Sequence, residues 1–450
     1  MTESASTKIQ DQNTQKEADI PSGNEKKNDE LVIEIREIVK RPEIRSSTRC
    51  RIHKVPHHLR KWNEVAYTPQ VVSIGPIHHN DERLKSMEEY KERYFRSFVK
   101  RSKIKVEYFV NTIRRMEKSI RRCYAETICP TSGKFVKMIL VDAIFILELF
   151  IKETSGIQTR DDPMIAKTRA KAMKFDLLLL ENQLPFFVIK KLHQLAFRSL
   201  CKSDPRLLNC DDLVQLSLKY FWDPCFKFSG GHRNAKVKHF TDLLRIFQLP
   251  PPESRPKRGN QQILWYTATQ LHEAGVMFMV AKSSESESPF DIKFEKGVFK
   301  IPQLLLNHWT EVVTRNITAL EQTHHIKDTY FTDYLFLMDS LINTREDVDL
   351  LCDKKILVNY LGDNNAAMSM IDNLNKGIVW ETVRDDYINL WAELKSFYEQ
   401  RPQHRWWAKL KHEFFSTPSA AASTIFTIFI ITVLTFIQTI CSILEVTGSS

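Results

Sequence analysis

VKMILVDAIFILELFIK, residues 136–152, decides the fold class. The segment has the length of a helix and is very apolar, so it belongs in a core rather than on a surface. Two acids, Asp142 and Glu148, stand inside it, and Glu181, Asn182 and Gln183 interrupt a second apolar run. An isolated buried charge is costly, so these carboxylates need partners. Arg60, Lys91 and Arg93, from other blocks of the chain, are available for structural ion pairs. The competing reading is a catalytic pair with raised pKa, but a spacing of six residues puts Asp142 and Glu148 on different helix faces.

Outward from this segment, helices dominate. Within 104–124, Phe109, Ile113, Met116 and Ile120 recur at i, i+4, i+7 and i+11, opposite Arg114, Arg115, Lys118, Arg121 and Arg122. Further helices are expected over 164–181, 184–200, 212–221, 238–247, 263–274, 303–322, 327–343, 346–354 and 381–412. Loops at 249–262 and 282–288 interrupt them, the first a candidate lobe boundary. Phe290, Ile292 and Phe294 alternate with charged residues ahead of Lys296, Gly297 and the run 298–301, which predicts one small β-hairpin. Residues 1–48 have the composition of a disordered N-terminal arm. Between 52 and 79, Pro56, Pro69 and Pro76 in apolar surroundings predict an extended, irregular segment laid across a core.

The C-terminus raises a separate expectation. From Ala420 to Leu444 the chain is uncharged and rich in Ile, Phe, Leu, Val and Thr. As a helix it would rise roughly 37 Å, against about 30 Å for a hydrocarbon core. A transmembrane helix is therefore expected over 418–444, followed by a short tail at 445–450. Trp406, Trp407, Lys409 and Lys411 would form its membrane interface, and the charge bias would place the body in the cytosol. Thr435, Gln438, Thr439 and Ser442 fall on one side and could mediate self-association or pairing with another helix.

Composition excludes several classes. A 450-residue chain with 42% hydrophobic and 10% aromatic residues suffices for one large core or two lobes. Only 12 Gly argue against Gly-rich nucleotide loops and against an all-β fold. Ser132-Gly133-Lys134 lacks the upstream Gly of a P-loop, and no G-x-S-x-G elbow occurs. The eight Cys contain no C-x-x-C pair and suit small core hydrophobes. The net charge of +10 fits acidic partners or anionic lipid, with the face carrying Arg114, Arg115, Lys118, Arg121 and Arg122 as the contact. No RNA-binding module accompanies that face, which sets nucleic acid aside. One sequon, Asn316-Ile317-Thr318, would matter only in a lumenal body.

The histidines at the start of the body invite a site. His53, His57, His58, His78 and His79, with Glu88 and Glu89 downstream, offer metal ligands or acid–base groups. Pro56 breaks the helical alignment of His53 with His57, however, so the structural reading is preferred. No catalytic residue, cofactor or metal is assigned.

Several blocks together resemble the plant "domain of unknown function 247" family. They are IHKVPHHLRKWNEVAYTPQVVSIGPIHH with LKSMEEYKERY (52–94), MILVDAIFILELF (138–150), DLLLLENQLPFFVIKKL (176–192), ATQLHEAGVMF (268–278), FKIPQLLLNHWTEVVTRNITALEQ (299–322), YLFLMDSLINTREDVDLL (334–351) and FIQTICSIL (436–444). The resemblance implies a mainly helical body over 49–417, a C-terminal anchor and no established enzymatic activity. Some members of that family are linked to self-incompatibility in grasses, but no residue of this chain is tied to that role. The expected function is a membrane-anchored protein-interaction or signalling module without catalysis. The alternatives are an unfamiliar enzyme using the histidines and acids of 52–92, or a cell-recognition component.

Overall fold

A computed structural model describes residues 52–126, 128, 130–155, 167–203, 207, 211–222, 235–260, 266–282, 288–403 and 426–440, with Val32, Ile33, Ile35, Arg36 and Val39 near the N-terminus. By contacts the chain forms two units, Met1–Thr48 and Arg49–Ser450. In the first unit the five described residues are helical and exposed. Everything below concerns the second.

The first helices are Ser86–Ser102 (α1), Val106–Arg121 (α2) and Ser132–Ser155 (α3). They are followed by Lys167–Asp176 (α4), Phe186–Ser203 (α5) and Leu213–Phe221 (α6). From Phe135 to Ile151 every residue of α3 except Lys137 is buried. A helix apolar all round has to be covered all round, and α1, α2, α5 and α6 all pack on it. The α2 stripe behaves as its spacing predicts, with Phe109, Ile113 and Ile120 buried and Met116 packed against the core. α1 escapes sequence reading because its inward row is Met87, Lys91, Tyr94, Phe98 and Ser102, and a buried lysine breaks the apolar pattern.

The second half holds Phe240–Gln248 (α7), Ala268–Glu273 (α8), His308–His324 (α9) and Tyr330–Leu341 (α10). Arg345–Asp353 (α11), Asn364–Asn375 (α12) and Asp385–Glu399 (α13) complete it. α9 is its hub, packing on α7, α10, α12 and the helical turn Glu64–Tyr67. The row Ala367, Met370, Ile371 and Leu374 buries α12, although its asparagine-rich sequence carries a turn composition.

Three small sheets lie among the described residues. The expected hairpin is present: Lys293–Glu295 and Val298–Ile301 pair antiparallel around Lys296 and Gly297, both at positive φ. Met277–Val280 adds to it in parallel, a strand not anticipated. Leu304–Leu306 pairs in parallel with Leu357–Asn359, so the helix expected from 303 starts instead at His308, where the Asn307 side chain accepts from the amides of Trp309 and Thr310. Arg258–Gly259 pairs with Val383–Arg384, which likewise delays the helix expected from 381.

The membrane expectation is corrected. Among the described residues no helix is long and apolar enough to cross a membrane. Of the span expected over 418–444, only 426–440 is described, an exposed helix. The tail-anchored, single-pass topology and the cytosolic placement that followed from it are withdrawn. Trp406, Trp407, Lys409, Lys411 and Ser442 lie outside the described residues. The hydroxyls of Thr435 and Thr439 donate 2.8 Å bonds to carbonyls of their own helix, and Gln438 is exposed.

Candidate functional site

The chain between Ile52 and Pro76 has little regular structure, yet Ile52, Val55, Leu59, Ala66, Tyr67, Val72 and Ile74 are all buried. The same holds for Leu177–Gln183, where α4 ends at Asp176 rather than continuing to 181. Irregular buried backbone leaves amides and carbonyls without a ladder, so side chains have to satisfy them. Five residues do so. Asp176 accepts from the amides of Gln70, Val71 and Val72 at 2.9, 2.6 and 2.8 Å. Asn182 accepts from Ile74 N–H at 2.7 Å and donates to the carbonyls of Val72 and Asp176, each at 2.9 Å. Asp142 accepts from Gly75 N–H and pairs at 2.8 Å with Lys91, whose ammonium is fully buried. Glu181 takes Val55 N–H at 2.7 Å, Arg60 at 2.6 Å and His78 at 3.0 Å. Gln183 bonds the carbonyls of Leu177 and Leu179 and the amide of Phe240.

The two interruptions of the apolar runs are therefore a stitch that holds one irregular segment against another. Arg60 and Lys91 act as the ion-pair partners foreseen for the buried acids, whereas Glu148 is held by Arg101 and by Ser97. Burial pushes the Asp176 carboxyl up to about 6 even though three amides point at it. Glu181 is also buried, but the bonds from His78 and Val55 and the charge of Arg60 outweigh that and hold it below the usual carboxylate range. The sequon is consumed in the same way: Asn316 is fully buried, accepts from Leu180 N–H and donates to the carbonyls of Ala66 and Val312.

The histidines of 52–79 do not converge. His57 and His58 are exposed, and His78 serves Glu181. His53 lies 3.2 Å from Nδ1 of His324 and stacks on that ring at 4.7 Å. Glu88 goes to Lys91 at 2.6 Å and Glu89 is exposed. Among the described residues no group of three or more His, Cys, Asp or Glu is placed to hold a metal. A pairing across 271 residues such as His53 with His324 leaves no local sequence signal. Nor do the buried pair of Arg245 with Glu321 at 3.0 Å and the fork of Arg258 on Asp333 at 2.8 Å.

Two surface features remain. On α2, Arg114, Arg115, Lys118 and Arg122 are exposed, while Arg121 is engaged with Glu117, the carbonyls of Ile128 and Pro130, and the Phe135 ring. Phe95, Val110 and Val136 floor a groove of about 370 Å³ between α1, α2 and α3, and Arg114 stands on its rim. Elsewhere Ile326, Val379 and Trp380, 56, 61 and 36% exposed, surround a cleft of about 240 Å³. Trp62 stands nearby, its indole nitrogen 3.1 Å from where a Cβ on Gly377 would fall.

Comparison with known proteins returns relatives without assigned chemistry. A UPF0481 protein of Arabidopsis thaliana is 28% identical, with 88% of this chain and 87% of the relative covered. A putative UPF0481 protein of the same plant is 24% identical over 73% of this chain and 78% of its own length. No solved structure matches the chain. The family model described as "plant protein of unknown function" matches residues 52–433, from the first buried residue of the stitched segment onward, and the chain belongs to that family, DUF247.

Proposed function

We propose that the body works by binding another protein and not by catalysis. The observation behind this is how its polar and apolar groups are used. The buried carboxylates, amides and cations around 52–92 are committed to backbone and to one another, and among the described residues no group of three or more His, Cys, Asp or Glu is placed to hold a metal. Large apolar side chains, Ile326, Val379 and the indole of Trp380, are instead left in the open around the 240 Å³ cleft. Exposed patches of this kind mark interaction surfaces, and Trp is enriched among the residues that dominate binding energy.

The test is affinity capture from plant tissue with the native chain, with Ile326→Glu and Trp380→Glu, and with His57→Ala and His79→Ala, each checked by its melting temperature. A stoichiometric partner should be lost from the two patch variants and kept by the histidine variants, with melting unchanged. Loss in the histidine variants instead, or no partner with the native chain, would overturn the reading.

A further inference from the structure

The groove between α1, α2 and α3 lies away from the aromatic cleft and carries a different chemistry. α2 has two apolar rows. Phe109, Ile113 and Ile120 face the core, whereas Val106 and Val110 sit on an adjacent row that continues to Arg114. Among the described residues no helix covers that second row: Val106 is 40% exposed, and the row faces Phe95 of α1 and Val136 and Leu140 of α3 across the opening. An uncovered apolar floor of about 370 Å³ falls in the size range of small-ligand pockets, well below a protein-sized interface.

The rim fixes the sign of the ligand. It carries Arg96, Arg114 and Lys137 against a single acid, Glu92, which already sits 3.3 Å from Lys137. Among the described residues neither Arg96 nor Arg114 forms a hydrogen bond or ion pair. Glu117, which Arg114 does influence, is held by Arg121 and Ser132. At the mouth, Gly133 leaves open space, with nothing within 4 Å of where its Cβ would be.

We propose that this groove binds a single-chain anionic amphiphile, a free long-chain carboxylate, with its tail on the apolar floor and its carboxylate at the Arg96 and Arg114 rim. Guanidinium groups suit a carboxylate because their fork matches its two oxygens, and a shallow low-dielectric floor beside them strengthens the pairing. This goes beyond the protein-binding reading and does not depend on it.

Sodium dodecanoate below its micelle-forming concentration is titrated calorimetrically into the full chain, alongside dodecyltrimethylammonium as a cation of equal length. Saturable one-to-one binding of dodecanoate is expected, about tenfold or more tighter than that of the cation. Arg114→Glu should weaken it by about tenfold or more, and Gly133→Trp should abolish it by placing an indole in the open mouth. Arg115→Glu makes the same charge change on an exposed position outside the groove lining and should bind as the native chain does. Both sites are exposed, so the variants retain the fold, which melting curves confirm. Equal binding of the cation, no saturable binding, or unchanged binding in Arg114→Glu and Gly133→Trp would overturn the proposal. So would an acidic apolar peptide that binds the groove where dodecanoate does not.

Discussion

Asn182→Ala removes the centre of the stitch and leaves three buried groups without their partner: the Ile74 amide at 2.7 Å and the carbonyls of Val72 and Asp176 at 2.9 Å. A buried amide without an acceptor costs about 1–3 kcal/mol, and each carbonyl, with a second lone pair, about 1 kcal/mol. The sum is roughly 3–5 kcal/mol, a large share of the ~5–15 kcal/mol that holds a typical domain together. The loss should be local first, because Asp176 still grips Gln70–Val72 and Asp142 still holds Gly75. Hydrogen exchange read amide by amide should therefore show Ile74 losing protection by roughly 10²–10³-fold while amides in the middle of α3 change far less. Asn182→Asp keeps the acceptor but sets a buried carboxylate oxygen against two carbonyl oxygens, so at neutral pH it should lose at least as much as Asn182→Ala. If Ile74 exchanges as slowly in Asn182→Ala as in the native chain, or if α3 loosens equally, the stitch does not hold the segment and the reasoning fails.

Three further outcomes are expected. Lys91→Met strands the Asp142 charge and should cost about 3–5 kcal/mol in urea unfolding; adding Asp142→Leu should recover part of it but not all, since Gly75 N–H then lacks its acceptor. His325 is driven down to about 3 by burial and by the positive charges of Arg245 and Lys238, with Asp328 opposing and His324 adding a smaller push in the same direction. Its folded pKa lies below the unfolded value, so its contribution is fully present above about pH 6.5 and is lost as pH falls toward 3; roughly 2–3 kcal/mol goes between pH 6.5 and 4.5. Asp176 and Asp333, raised to about 6 by burial, act in the opposite sense, so the measurement is the pH dependence of native minus His325→Gln stability, and a flat difference refutes it. Gly377→Ala puts a Cβ 2.4 Å from the His58 carbonyl at φ +82 and should lower the unfolding free energy by about 2 kcal/mol or more; a neutral result would show that the turn can move.

Long apolar runs made most of the helices legible, and the Lys296-Gly297 turn exposed the hairpin. The elements that stayed hidden share a cause. α1 turns a lysine inward, α12 is built from asparagines and small residues, and the strands at 277–280 and 304–306 are too short to show a period. For the candidate site, the sequence identified the buried acids Asp142, Glu148 and Glu181 and two of their cations, Arg60 and Lys91, but not Asp176. It missed the three amides held by Asp176 and the single amides held by Asp142 and Glu181, because such bonds depend on where an irregular segment runs and not on residue type. The C-terminal stretch misled because its apolar composition set the expectation of a span, whereas among the described residues no helix is long and apolar enough to cross a membrane.

The stitch also sets an order of events during synthesis. Val72 meets Asn182 across 110 residues, and Ala66 meets Asn316 across 250. At about 5–20 residues per second, the first pairing waits roughly 5–20 s and the second roughly 12–50 s after the early residues are made. Until then the 52–76 segment exposes its valines, isoleucines and prolines with nowhere to dock. The opening of the body is thus made first and settled late, which makes it the stretch most in need of a holding chaperone while the ribosome finishes the rest.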